Sequence, residues 1–166
     1  MKHTKFSQNT NTSFINQVTS APEQSPIIVP ANVETPVILR GPVEATSGSV
    51  IFFEYTNIEA GEFRIAPLIT ALGSINYVLA PESAEGFITL LIYLNGELSQ
   101  SYIHQIKHAD ASPDVGTIDF YLHTHDSDTL KIVVSTTTEN IVFADVVDVN
   151  RTVKIPALTM VLEVAS

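Results

Sequence analysis

Beyond residue 48 the chain is dominated by a period of two. In FITLLIYLNG (87–96), Ile88, Leu90, Ile92 and Leu94 share one strand face, and Phe87, Thr89, Leu91 and Tyr93 share the other, because successive side chains of a strand point to opposite sides. Asn95-Gly96 supplies a two-residue turn that accepts positive φ at both positions, so ELSQSYIHQIK returns as the second strand of a hairpin. The runs 50–58, 74–80, 116–125, 129–136, 140–149 and 158–165 read as further strands. In GTIDFYLHTH, Ile118, Phe120 and Leu122 face inward while Thr117, Asp119, Tyr121 and His123 face outward. In the last run Leu158, Met160, Leu162 and Val164 form the core face. Turn residues separate these runs at about 8–12 residues, the spacing of a sandwich or barrel. FRIAPLITAL (63–72) is the one stretch where a short helix fits, and Pro67 excludes a long one. The expected fold class is all-β: an antiparallel β-sandwich of jelly-roll type, eight strands in two sheets, preceded by an extended N-terminal arm.

Residues 1–47 read differently. The first 20 are mostly Ser, Thr, Asn and Gln, with Phe6, Phe14, Ile15 and Val18 scattered among them. Five of the nine prolines follow, Pro22, Pro26, Pro30, Pro36 and Pro42. Proline fixes its own φ and pushes the preceding residue out of the helical region, so this segment is expected to be extended. A plain linker has no need of the clusters Ile27-Ile28-Val29 and Val37-Ile38-Leu39. Together with Phe6, Phe14 and Ile15 they are the candidate partner-binding residues. The expected organisation is an arm, 1–47, that orders on a partner, and a sandwich domain, 48–166, that folds alone. A disordered tail is the simpler alternative for the arm.

Charge sharpens this division. The chain holds 8 Lys+Arg against 18 Asp+Glu, a net charge of −10. The arm is neutral, so the whole excess lies in the domain. That sign argues against nucleic acid as the main partner, since affinity there comes from neutralising phosphates. With 45% hydrophobic and 16% charged residues, general disorder is excluded. There is no cysteine, which removes disulfides, thiolate metal sites and cysteine nucleophiles. The first 20 residues lack the apolar stretch of a secretory signal, and no run approaches the ~20 apolar residues of a bilayer-spanning helix. The expectation is a soluble protein made in a host cytoplasm, with no membrane partner.

Candidate chemistry is sparse. His123-Thr124-His125, followed by Asp126 and Asp128, places imidazoles and carboxylates where zinc, nickel or iron is conceivable. With Gly116 upstream it resembles the first motif of cupin jelly rolls. Six residues separate the glycine from the histidine instead of five, and neither the glutamate nor the second motif follows. The simpler reading is two histidines ending a strand and facing solvent, and no metal or cofactor is expected. His104 and His108 stand ~13 Å apart if both lie on one strand, too far for one ion. The acidic turn at Asp126 and Asp128, with Asp110 or Asp114, offers oxygen ligands for calcium, but Asp and Ser are also ordinary turn formers. No G-x-S-x-G elbow, phosphate loop or G-x-G-x-x-G motif occurs, so no catalytic residue and no enzyme activity are expected. A carbohydrate platform would have to rest on Tyr55, Tyr77, Tyr93, Tyr102 and Tyr121, because there is no tryptophan.

A short, cysteine-free, acidic jelly roll with a proline-spaced arm from Phe6 to Pro42 and a strand series from Val50 to Val164 resembles the decoration, or cement, proteins of tailed-phage capsids. The resemblance implies a structural virion protein that assembles as a homotrimer, with its arm laid across the major capsid protein or another virion protein. The same features also resemble the trimeric jelly rolls of the complement and tumour-necrosis-factor type. That implies the alternative, a receptor- or glycan-binding head such as a fibre or spike tip. Fold by itself does not choose between them. A clamp needs the arm to dock on a partner, whereas a head does not.

Overall fold

The computed structural model describes residues 13–46, 50–65, 69–109, 113–125, 127–137, 139–147 and 154–165. In chain order the strands are β1 (Ser13–Thr19), β2 (Ile27–Val29), β3 (Thr35–Pro36), β4 (Val43–Ala45), β5 (Phe53–Asn57), β6 (Glu62–Ile65), β7 (Ile69–Val78), β8 (Gly86–Leu94), β9 (Glu97–Ile106), β10 (Val115–Thr124), β11 (Leu130–Thr136), β12 (Ile141–Phe143), β13 (Val146–Val147), β14 (Lys154–Ile155) and β15 (Leu158–Ala165). The β8–β9 hairpin forms as its turn demands, with φ 53° at Asn95 and 86° at Gly96. Of the stretch 63–72, the described residues 63–65 and 69–72 are strand. Phe63 and Ile65 are buried on β6 with Arg64 exposed between them, and β7 begins at Ile69.

Two antiparallel sheets face each other. One has the order β10-β7-β15-β1-β4. The other has the order β5-β6-β11-β8-β9, with β3 also paired to β11. This is the expected jelly-roll sandwich. Within the run 140–149, the described strands pair outside the two main sheets: β12 with β2, and β13 with β14. The core lies between the sheets, where Ile88, Leu90 and Ile92 of β8 meet the inward faces of β7, β10 and β15. Phe120 packs over Gly73 of the neighbouring strand, where a Cβ would stand 2.3 Å from its ring. Ile92 is 1% exposed. Ile92→Ala is expected to cost about 2–5 kcal/mol in urea denaturation. A loss below about 0.5 kcal/mol would put this face outside the core.

Strands from both sides of the expected boundary at residue 47 share the same sheets. Apart from one 3-10 turn at Pro22–Gln24, the proline-spaced segment is extended, and it is built into the sandwich. β1 lies between β15 and β4, registered from Ser13↔Ala165 to Thr19↔Thr159. β3 lies beside β11, and β2 is paired with β12. Val18, Val29, Val37 and Leu39 belong to the main core. Pro36 is tolerated because β3 is a two-residue edge strand, and the next residue resumes donation, Val37 N–H to Ile132 O at 2.8 Å.

Candidate interaction surface

Of the predicted partner-binding residues, most face inward. Val29, Val37 and Leu39 are buried, and Phe14 and Ile27 pack against the core. Ile15 and Ile38 are half-buried. Ile28 is 48% exposed, and Phe6 lies outside the described residues. Most of these side chains pack into the chain's own core.

His123 and His125 stand at the outer end of β10 with ring centroids 5.8 Å apart. Both are exposed. His123 Nδ1 is hydrogen-bonded to Thr70 Oγ1 at 3.0 Å. Asp128 is occupied locally: Oδ2 accepts from His125 N–H at 2.7 Å and Oδ1 from Asn95 Nδ2 at 3.0 Å. The amide of Asn95, and then the backbone N–H of His125, hold this carboxyl below its usual range. Its role is to tie the β10–β11 turn to the β8–β9 turn, where Thr129 N–H also reaches Asn95 Oδ1 at 2.9 Å. Asp126 lies outside the described residues. Among the described residues no group of three or more His, Asp or Glu converges on one point.

His108 lies beyond the end of β9, so it does not share a strand face with His104. Its Nδ1 is 2.6 Å from Asp114 Oδ2 and its Nε2 is 2.8 Å from Ser83 O. Both neighbours are acceptors, so both ring nitrogens must donate, which requires the imidazolium. The Ser83 carbonyl first, and then the Asp114 carboxylate, raise its pKa above 6.5, helped by the charge of Glu85 and opposed by desolvation. Glu85 also accepts from His108 N–H at 2.7 Å. A histidine pKa raised on folding stabilises fully below the unfolded value and is lost as pH rises through the folded value. The melting temperature is therefore expected to fall as pH rises from about 6.5 through that raised value. The difference between the wild type and His108→Gln should shrink over the same window. A difference that stays constant between about pH 6 and about pH 9 would refute the charged clamp.

The side formed by β9 and β10 was not singled out by the sequence. β9 ends the six-stranded sheet and β10 ends the five-stranded sheet, each ten residues long. They lie near one another, and Tyr102 Oη accepts from Tyr121 N–H at 3.3 Å. Between the sheets, His104 Nε2 is hydrogen-bonded to the Tyr77 hydroxyl at 2.9 Å. Burial lowers the His104 pKa against the opposing charge of Asp119. Burial, and then the charge of Asp114, raises that of Tyr77. Each edge strand carries one formally charged residue, Glu97 or Asp119. Ile103, Leu98 and Phe87 are exposed on the β8–β9 side, and Val115, Tyr121 and Leu72 on the β7–β10 side. The available signal was the apolar content of a strand face read as outward. The five tyrosines form no shared platform: Tyr55 and Tyr77 pack in the interior, whereas Tyr121 and Tyr93 stand on the outer faces of different sheets.

No protein-family model and no curated protein matches the chain. Solved structures do. The PRD1 vertex protein P5 is similar at a TM-score of 0.52 and 15% identity, over 94% of this chain and 97% of that one. A structure of Eiger TNF from S. frugiperda is similar at a TM-score of 0.50 and 10% identity, over 92% of this chain and 91% of that one. At these identities the likeness is one of fold, and it runs through both chains almost end to end.

Proposed function

We propose that the chain is a structural protein of a virion, a decoration or cement protein that self-associates as a trimer and attaches to the major capsid protein or another virion protein. The observation that carries this reading is the near-complete fold likeness to a phage vertex protein. The β9–β10 side supports self-association. It offers two edge strands, exposed apolar residues and few charges, and in a chain of net charge −10 like-charged copies meet at least electrostatic cost where acids are sparse. The reading assigns no catalysis and no cofactor. Attachment is assigned to residues 1–12, with Phe6 as anchor, because strands β1 to β4 of the expected arm are paired with other strands of the chain.

The test adds the full chain and a chain of residues 13–166 to shells stripped of this protein, then sediments them. Co-sedimentation of the full chain and loss of the shorter one is the expected result. Equal binding by both refutes the clamp. Failure of both favours the second reading, a receptor- or glycan-binding head, for which the likeness to Eiger TNF is the supporting observation.

A further inference from the structure

Between the two sheets lies a cavity of about 270 Å³. Its walls include Ile75, Ile88, Ile118, Val134, Phe143 and Leu158, all buried core residues. Its mouth is formed by half-buried residues of the N-terminal segment, among them Gln24, Ile27, Thr35 and Ile38. We propose that this cavity is a binding site for a neutral alkyl chain.

Three features carry the assignment. First, the lining presents no polar group in search of a partner. Gln24 Oε1 accepts from Ala21 N–H at 2.8 Å and Arg40 N–H at 2.9 Å, and its Nε2 donates to Ile38 O at 2.7 Å. Thr35 Oγ1 donates to Val33 O at 3.3 Å, and the Tyr77 hydroxyl is engaged with His104. A polar guest would lose its hydration and gain nothing, whereas an apolar guest restores dispersion contacts that an empty space forfeits. Second, the mouth is braced against collapse. Gln24 bridges two stretches of backbone, β2 is paired with β12, and β3 with β11. Third, the mouth residues Gln24, Ile27, Thr35 and Ile38 carry no charge, so a carboxylate headgroup finds no cation among them. Scaling from the roughly 150 Å³ apolar cavity that accommodates benzene, the space holds on the order of ten carbons.

The experiment titrates the full chain with 1-alkanols of increasing length and with the matching alkanoates, followed by calorimetry and by thermal shift. Alkanol affinity is expected to rise about fourfold per methylene while the chain is being buried, then to level off near ten carbons as the cavity fills. Ile38→Phe and, separately, Thr35→Trp narrow the mouth from half-buried positions and should move that break to shorter chains or abolish binding. Failure of the alkanols to bind overturns the proposal. So does affinity that climbs without a break, which marks sorption on the exposed apolar surface, or a break that neither folded variant moves. Alkanoates binding as tightly as alkanols would overturn the neutral-guest assignment.

Discussion

A fragment of residues 48–166 is expected to show no cooperative melt, although it holds most of the strands of both sheets. Removing the N-terminal segment strips β1 from one side of β15, along the seven residue pairs from Ser13↔Ala165 to Thr19↔Thr159. It also takes β3 from β11 and β2 from β12. Val18, Val29, Val37 and Leu39, each 7% exposed or less, leave the core. At roughly 1.5–3 kcal/mol for each buried side chain of this kind, the loss is on the order of 6–12 kcal/mol. That is comparable with the whole stability of an ordinary domain, about 5–15 kcal/mol. Circular dichroism on heating should show a broad, uncooperative change, and a hydrophobic dye should bind the fragment. Residues 13–166 should retain the sharp transition of the full chain. A fragment 48–166 that melts cooperatively within a few degrees of the full chain would restore the boundary at residue 47.

Strands such as β8 and β10 were legible because they alternate without interruption. Ile118, Phe120 and Leu122 are buried, and Thr117, Asp119, Tyr121 and His123 are exposed, as their spacing required. The N-terminal strand was not legible for a specific reason. Along β1 the inward positions are Phe14, Asn16 and Val18, so its central inward residue is polar and the alternation does not show. The β9–β10 side was hidden by the opposite effect. Alternation identifies two faces and a core, but it does not reveal which strands end a sheet, because that depends on long-range pairing. The cavity was invisible in the same way. Its walls come from strands far apart in sequence, and each wall residue looks like any other core position.

Asn16 is where the second large effect is expected. It is 2% exposed, and its side chain does work that no backbone group of β1 can do. Oδ1 accepts from Phe52 N–H at 2.8 Å and Phe53 N–H at 3.2 Å, and Nδ2 donates to Val50 O at 2.9 Å. Phe53 begins β5, an outer strand of the opposite sheet. One amide thus joins the two sheets across a gap that ladder hydrogen bonds, made between strands about 4.8 Å apart, do not span. In Asn16→Ala the Val50 carbonyl can turn to water, because Val50 is 62% exposed. The N–H groups of Phe52 and Phe53 cannot do so as readily, since both residues are buried. An unsatisfied buried donor costs about 1–3 kcal/mol, so the two together should lower stability by roughly 2–5 kcal/mol in urea denaturation. Asn16→Asp keeps both acceptor interactions but sets a carboxylate against the Val50 carbonyl, and it should fall between Asn16→Ala and the wild type. A loss below about 0.5 kcal/mol for Asn16→Ala, the size of an ordinary surface change, would mean that water reaches both donors and that the two sheets are held together at this point by apolar packing alone.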